Sequence, residues 1–152
     1  MKPDLLVQDF LKVASLAGVQ VGEIEISLSR TDTSHEPPKR LPAGKMAVYV
    51  FTFNGMVLKV GKAGPKSSAR FTSHHYNPAS APSTLAASIL KNPQVLGVTG
   101  LSDENVGSWL KNNTSRTNFI LDAKCGIQAL TLLEIFLQCR LKPRFEGFAS
   151  QQ

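Results

Sequence analysis

Hydrophobic and polar positions recur along this chain with two different periods, and the changes of period mark its parts. Leu5, Leu6, Phe10, Val13, Ala14 and Ala17 fall at helical spacing and Gly18 follows as a stop, which predicts an amphipathic helix over residues 4–17. Residues 21–29, VGEIEISLS, alternate apolar with polar and predict a strand. A stretch of turn formers, TDTSHEPPKRLPAG, then runs to Gly44. It sets a boundary: residues 1–44 read as an N-terminal extension and residues 45–152 as the main domain.

The main domain opens with MAVYVFTFNGMVLKVG, two β-rich runs about Asn54-Gly55, which is a strong hairpin signal. Two registers are open. A two-residue Asn-Gly turn sets Tyr49 opposite Val60, whereas a loop of Phe53, Asn54 and Gly55 with the glycine in a left-handed bulge sets Tyr49 opposite Lys59. The second register is favoured, because it sorts Val48, Val50, Leu58 and Val60 onto one face and Tyr49, Phe51, Val57 and Lys59 onto the other. A helix is expected to start near Ser67, capped by its hydroxyl, with Arg70 and His74 four apart on one face. STLAASILKNP and DENVGSWLKNN predict two short helices, the latter capped by Ser102, and TNFILD predicts a third strand of the main domain. CGIQALTLLEIFLQC, residues 125–139, has helical spacing and Glu134 as its only charge. A carboxylate on so apolar a face needs a cation such as Arg70 or Arg140, or a metal ion. The expected fold is of the α+β type: a small three-stranded antiparallel sheet flanked by helices, with the N-terminal extension packed against it to cover the apolar face of the first helix.

Charge sharpens this picture. The net charge of +6 is split unevenly, with five basic and six acidic side chains in residues 1–44 against twelve basic and five acidic in residues 45–152. Between Glu36 and Asp103 there is no acid at all. Such asymmetry is the footprint of a polyanionic partner, most often nucleic acid, although a basic surface also serves solubility. No apolar run reaches the ~18 residues of a membrane span, and the first residues lack the pattern of a secretory signal, so a cytoplasmic protein without membrane contact is expected. Cys125 and Cys139 have no CxxC partner and are expected to be reduced thiols in the core. GKAGPKSS resembles a phosphate-binding loop, but Pro65 stands where the motif needs a glycine before Lys66, which weakens a nucleotide-triphosphate reading.

The order of these features resembles the GIY-YIG nuclease family over residues 46–147. Ala47-Val48-Tyr49 stands where that family has Gly-Ile-Tyr, and Lys59-Val60-Gly61 where it has Tyr-Ile-Gly; Lys62, Arg70, His74 and the lone Glu134 follow in family order. Lys at the second motif tyrosine is found in some restriction-enzyme members. Glu146 replaces the asparagine that usually follows the late proline. The resemblance implies a DNA endonuclease that hydrolyses phosphodiester bonds with one Mg2+ or Mn2+ ion held by Glu134. It implies Tyr49 as general base, Arg70 as stabiliser of the phosphate charge, and His74 as a group that positions water or assists the leaving oxygen. A free tyrosine, with a reference pKa of about 10, needs cationic help for that task, which Lys59 and Lys62 are expected to supply. Lys45, Lys66, Arg116, Lys142 and Arg144 are candidates, on charge alone, for phosphate contacts away from the cut. Cutting both strands from a single site implies a homodimer or two visits. The alternative is a catalytically inactive nucleic-acid-binding module, suggested by the missing second tyrosine and asparagine.

Overall fold

In the computed structural model, which describes residues 1–81 and 83–145, the β-rich segments form one four-stranded antiparallel sheet. Its strands are β1 (Ile26–Thr31), β2 (Lys45–Phe53), β3 (Met56–Ala63) and β4 (Ser115–Asp122), in the order β1-β4-β2-β3. Three strands were expected from the main domain, and all three are present. The fourth comes from the extension: β1 pairs along its full length with β4, from Ile26 opposite Leu121 to Thr31 opposite Arg116. The predicted strand over 21–29 thus starts later and runs further, because Glu23–Glu25 form a single tight turn in which the Glu25 carboxylate accepts from the Gly22 amide.

Helices cover both faces of the sheet. On one face lie α1 (Pro3–Leu16) and α5 (Gly126–Leu141), which bury Leu6, Phe10 and Ala14, and Ala129, Leu130, Leu133 and Leu137, against Met46, Val48, Val50, Val60, Phe119 and Leu121. These spacings of three and four residues are the apolar stripes read from the sequence. The extension therefore shares the core of the main domain. On the other face lie α2 (Ser68–Phe71), α3 (Leu85–Lys91) and α4 (Val106–Asn113), packed over Ala47, Tyr49, Phe51 and Leu58. The capping differs from expectation in two places. Neither Ser67 nor Ser102 caps a helix through its side chain, and α4 starts after Asn105, whose side chain instead bonds the Ser102 amide and the Gly100 carbonyl. Thr84 does cap α3, accepting from the Ala87 amide at 3.1 Å.

The hairpin register corrects the favoured reading. Asn54 and Gly55 both take positive φ, 47° and 79°, and form a two-residue turn that sets Phe53 opposite Met56 and Thr52 opposite Val57. A bulge at Leu58 then shifts the pairing, so that Phe51 faces Lys59, Val50 faces Val60 and Tyr49 faces Gly61. Val57 and Leu58 accordingly exchange the faces expected of them: Leu58 joins the Tyr49 side and Val57 the Val48 side. Beyond the bulge, the backbone amides of Arg144 and Phe145 bond the carbonyls of Val57 and Leu58 and cover that part of the β3 edge.

Two further expectations are revised. Both cysteines are free thiols, but Cys139 is exposed rather than in the core. Among the described residues no helix is long and apolar enough to cross a membrane.

Because Phe10 is fully buried between α5 and the sheet, Phe10→Ala should cost about 3–5 kcal/mol of stability for the whole molecule in one unfolding transition. Urea unfolding followed by circular dichroism checks this; a small loss, or a separate early transition, would show that α1 is an independent appendage.

Candidate active site

Gly61 and the ring of Tyr49 create the site. A Cβ at position 61 would lie 2.7–2.9 Å from the ring edge and hydroxyl of Tyr49, so the phenol crosses β3 only where β3 has no side chain. Since β3 is an edge strand, the phenol points toward the open margin of the sheet. A cavity of about 120 Å³ opens there, lined by Tyr49, Lys59, Gly61, Lys62, Arg70, His75 and Glu134. Pockets that enclose whole small molecules measure ~300–1,000 Å³. This one has the scale of a phosphate group rather than of a nucleotide, which argues against the triphosphate-enzyme reading. Within GKAGPKSS, moreover, Lys62 lies in β3 and is paired to an acid, and α2 is a single turn.

Tyr49, Lys59, Lys62, Arg70 and Glu134, read from distant parts of the sequence, thus share one cavity. His74 is replaced there by its neighbour. The helix meant to carry Arg70 and His74 on one face ends at Phe71, where Thr72 leaves helical geometry (φ −90°, ψ −85°). The next turn buries His75 and leaves His74 partly exposed. His75 Nδ1 accepts the Leu85 amide at 3.2 Å, which fixes the proton of the neutral ring on Nε2. That Nε2–H donates to Tyr49 Oη at 2.5 Å. Burial, first, and then the cations Lys59, Arg116, His74 and Arg70 hold the His75 pKa down to about 3, so the ring stays neutral and the tautomer is stable. The Tyr49 oxygen consequently accepts from His75 and keeps its own hydrogen for another partner.

Glu134 reaches the cavity from α5 on the opposite face of the sheet and bonds Lys62 Nζ through Oε2 at 2.7 Å, with side-chain exposures of 15% and 30%. Lys62 also donates to Thr131 Oγ1 at 3.3 Å. The cation partner of Glu134 is therefore Lys62, while Arg140 pairs with Asp9. Arg70 is exposed at the mouth and forms no ion pair among the described residues. Lys59 Nζ donates to the Phe145 carbonyl at 3.3 Å.

The candidate phosphate contacts separate into three groups. Lys66, Lys142 and Arg144 are exposed. Lys45 is half-buried and tied to Asp122 at 2.5 Å. Arg116 is a correction: it is 1% exposed and lies in the core beneath Tyr49, because the alternation of β4 turns residues 116 and 118 inward. Glu146 lies outside the described residues. Sequence reasoning missed His75; the HisHis pair was the available signal, but choosing between its members needed the end of α2.

Two outcomes follow from this geometry. Gly61→Ala should push the Tyr49 ring aside, costing about 1–3 kcal/mol through overpacking and quenching whatever activity depends on Tyr49; unchanged stability would show that the ring does not lie across Gly61. The second concerns pH. In the native state the pKa of His75 lies near 3 and that of His35 is lowered by burial, whereas the unfolded chain protonates both near pH 6.5. Protons therefore bind preferentially to the unfolded state below about pH 6.5, and stability should fall with pH by up to about 1.4 kcal/mol per unit for each neutral ring. Urea midpoints at about pH 7 and about pH 5 check this; a level midpoint would contradict it.

Protein-family models, curated proteins and solved structures were each compared with this chain, and none matches it.

Proposed function

We propose that the protein is a DNA endonuclease of the GIY-YIG type that hydrolyses phosphodiester bonds with a divalent metal ion. The observation that carries the reading is the meeting of Tyr49 from β2, Arg70 from α2 and Glu134 from α5 around one phosphate-sized cavity. In this reading the exposed Arg70 guanidinium grips the scissile phosphate through its planar fork and stabilises the charge growing on it. Tyr49 Oη, oriented by His75, takes a proton from the attacking water; Lys59 and Lys62 favour its anionic form. His75, not His74, is the histidine of the site, and its work is to hold the phenol rather than the water.

The donor set also fits an ion. Among the described residues Glu134 is the only acid lining the cavity, and no group of three or more His, Cys, Asp or Glu side chains is gathered to hold a metal. Magnesium keeps several waters and binds through one or two carboxylates plus substrate phosphate, so a single glutamate suffices once the substrate is present. When bound, the ion would supply Lewis-acid charge to the phosphate oxygens. Glu134 would hold it at the cost of its bond to Lys62, which frees the lysine for the phosphate.

That same ion pair favours a second reading, a nucleic-acid-binding module that does not cut, in which Lys62 permanently neutralises Glu134. A plasmid-nicking assay with Mg2+ or Mn2+ separates the two. The nuclease reading predicts nicking by the wild type and losses of about 10²-fold or more for Glu134→Ala, Tyr49→Phe and Arg70→Ala. Binding of duplex and branched DNA with no cleavage in either metal would favour the inert module.

A further inference from the structure

The largest side chain sealed in the interior, Arg116, has no part in the chemistry above. Its Nε donates to Asn118 Oδ1 at 2.8 Å, and its two terminal nitrogens donate to the Phe71 carbonyl at 2.6 Å and to Tyr76 Oη at 3.4 Å. All three acceptors are neutral. The bonds lead on through Tyr76 O–H to His35 Nε2 at 2.7 Å, and from His35 Nδ1–H to the Thr114 carbonyl at 2.8 Å, where they end on another neutral group. Among the described residues no carboxylate forms an ion pair with Arg116. Its charge faces three aromatic rings instead, with the guanidinium carbon 5.0 Å from the centroid of Tyr49, 5.1 Å from that of Phe51 and 4.9 Å from that of Phe71.

A buried cation without an opposite charge is expensive, and the cost falls if a neighbouring group ionises to face it. Two phenols lie beside it: Tyr76, which already donates its hydrogen to His35 and borders a hollow that holds Asp103 and Glu104, and Tyr49, which opens onto the cavity lined by Lys59, Lys62 and Arg70, where a phenolate would be met by cations. The placement follows from the sheet: Arg116 sits opposite Phe51 and Asn118 opposite Tyr49, so the bond from Arg116 to Asn118 draws the guanidinium across the Tyr49 ring. We propose that Arg116 is the positioning residue for Tyr49, a fixed interior cation that holds the phenol across Gly61 and supplies the counter-charge to its phenolate. Its purpose rests on the reading of Tyr49 as a proton acceptor. Among the described residues the other titratable or charged groups turned toward Tyr49 include His75, Lys59, Arg70, Lys62 and Glu134. His75 is neutral, Lys62 and Glu134 offset each other, Arg70 lies in solvent where salt screens it, and Lys59, bonded to the Phe145 carbonyl, acts on the phenol from the cavity side. Arg116 acts on the ring from the dry side, where screening is weakest.

The chain has only two tyrosines, Tyr49 and Tyr76, so Tyr76→Phe leaves Tyr49 as the sole phenol and its ionisation is read directly from ultraviolet difference absorbance. The expected result is a midpoint below the reference of about 10 for free tyrosine, little changed by salt. Arg116→Met in that background should raise the midpoint by about one pH unit or more, a tenfold loss of phenolate at a given pH, and Arg116→Lys should restore most of it. A midpoint unmoved by Arg116→Met, with circular dichroism unchanged, would overturn the proposal. So would a Tyr49 that titrates at or above free tyrosine in the Tyr76→Phe protein, a result that stands even if Arg116→Met does not fold. The readout needs no cleavage: a shifted midpoint in a protein that never nicks DNA upholds Arg116 and sinks the nuclease reading, while nicking with an unmoved midpoint does the reverse.

Discussion

The ring of Tyr49 lies across a glycine, and most of what surrounds the cavity exists to keep it there. Gly61 leaves the space; the neutral His75 donates to the phenolic oxygen from one side; Arg116 backs the ring with charge from beneath. Each depends on others. His75 keeps its tautomer because the Leu85 amide at the start of α3 points at Nδ1, and Arg116 keeps its direction because Asn118 lies two residues along the same strand. The side chain is 1% exposed, yet it opens onto the cavity at the sheet margin. Under the proposed function, a rigid, dry support beneath Tyr49 Oη is the preorganisation that proton transfer would require.

Charge in the cavity is arranged asymmetrically. Among the described residues Lys59, Lys62 and Arg70 line it with Glu134 as the single acid, and burial, helped by the neighbouring cations, keeps His75 from adding a further positive charge. Under the proposed function such a cavity would take one phosphate of a polymer that cannot enter it whole. The larger hollow near Tyr76, about 470 Å³, contains Asp103 and Glu104 and offers a polyanion nothing comparable. The pair of Lys62 with Glu134 joins the two faces of the sheet around its edge, and under the proposed function it is the contact that a phosphate and an ion would have to rearrange.

Much of the architecture was legible in the sequence because it is periodic. The stripes of α1 and α5 and the lone acid on α5 follow from helical spacing, and the Asn-Gly pair announced the hairpin. The register was not legible: the bulge at Leu58 carries no glycine or other local mark, and the chain that bonds the carbonyls of Val57 and Leu58 comes from Arg144 and Phe145, far away in sequence. His75 was missed because a helical period was carried past Thr72, where the backbone had already turned away. Arg116 was taken for a surface cation because strand alternation says which residues share a face, not which face is buried, and the aromatic cage that tolerates it comes from β2 and α2. The extension was read as a neighbour of the sheet; that it lengthens the sheet depends on β4 having an open edge, a fact of tertiary structure.

The proposed function requires Tyr49, Arg70 and Glu134 to act together on one phosphate. The most direct measurement is a crystal structure with duplex DNA and Ca2+, which binds oxygen ligands as magnesium does. The account predicts a backbone phosphate in the cavity with Arg70 on its oxygens, the cation on Glu134, and Lys62 released from that carboxylate. A complex in which DNA lies elsewhere on the basic surface, with Glu134 still bonded to Lys62 and no cation beside it, would contradict it.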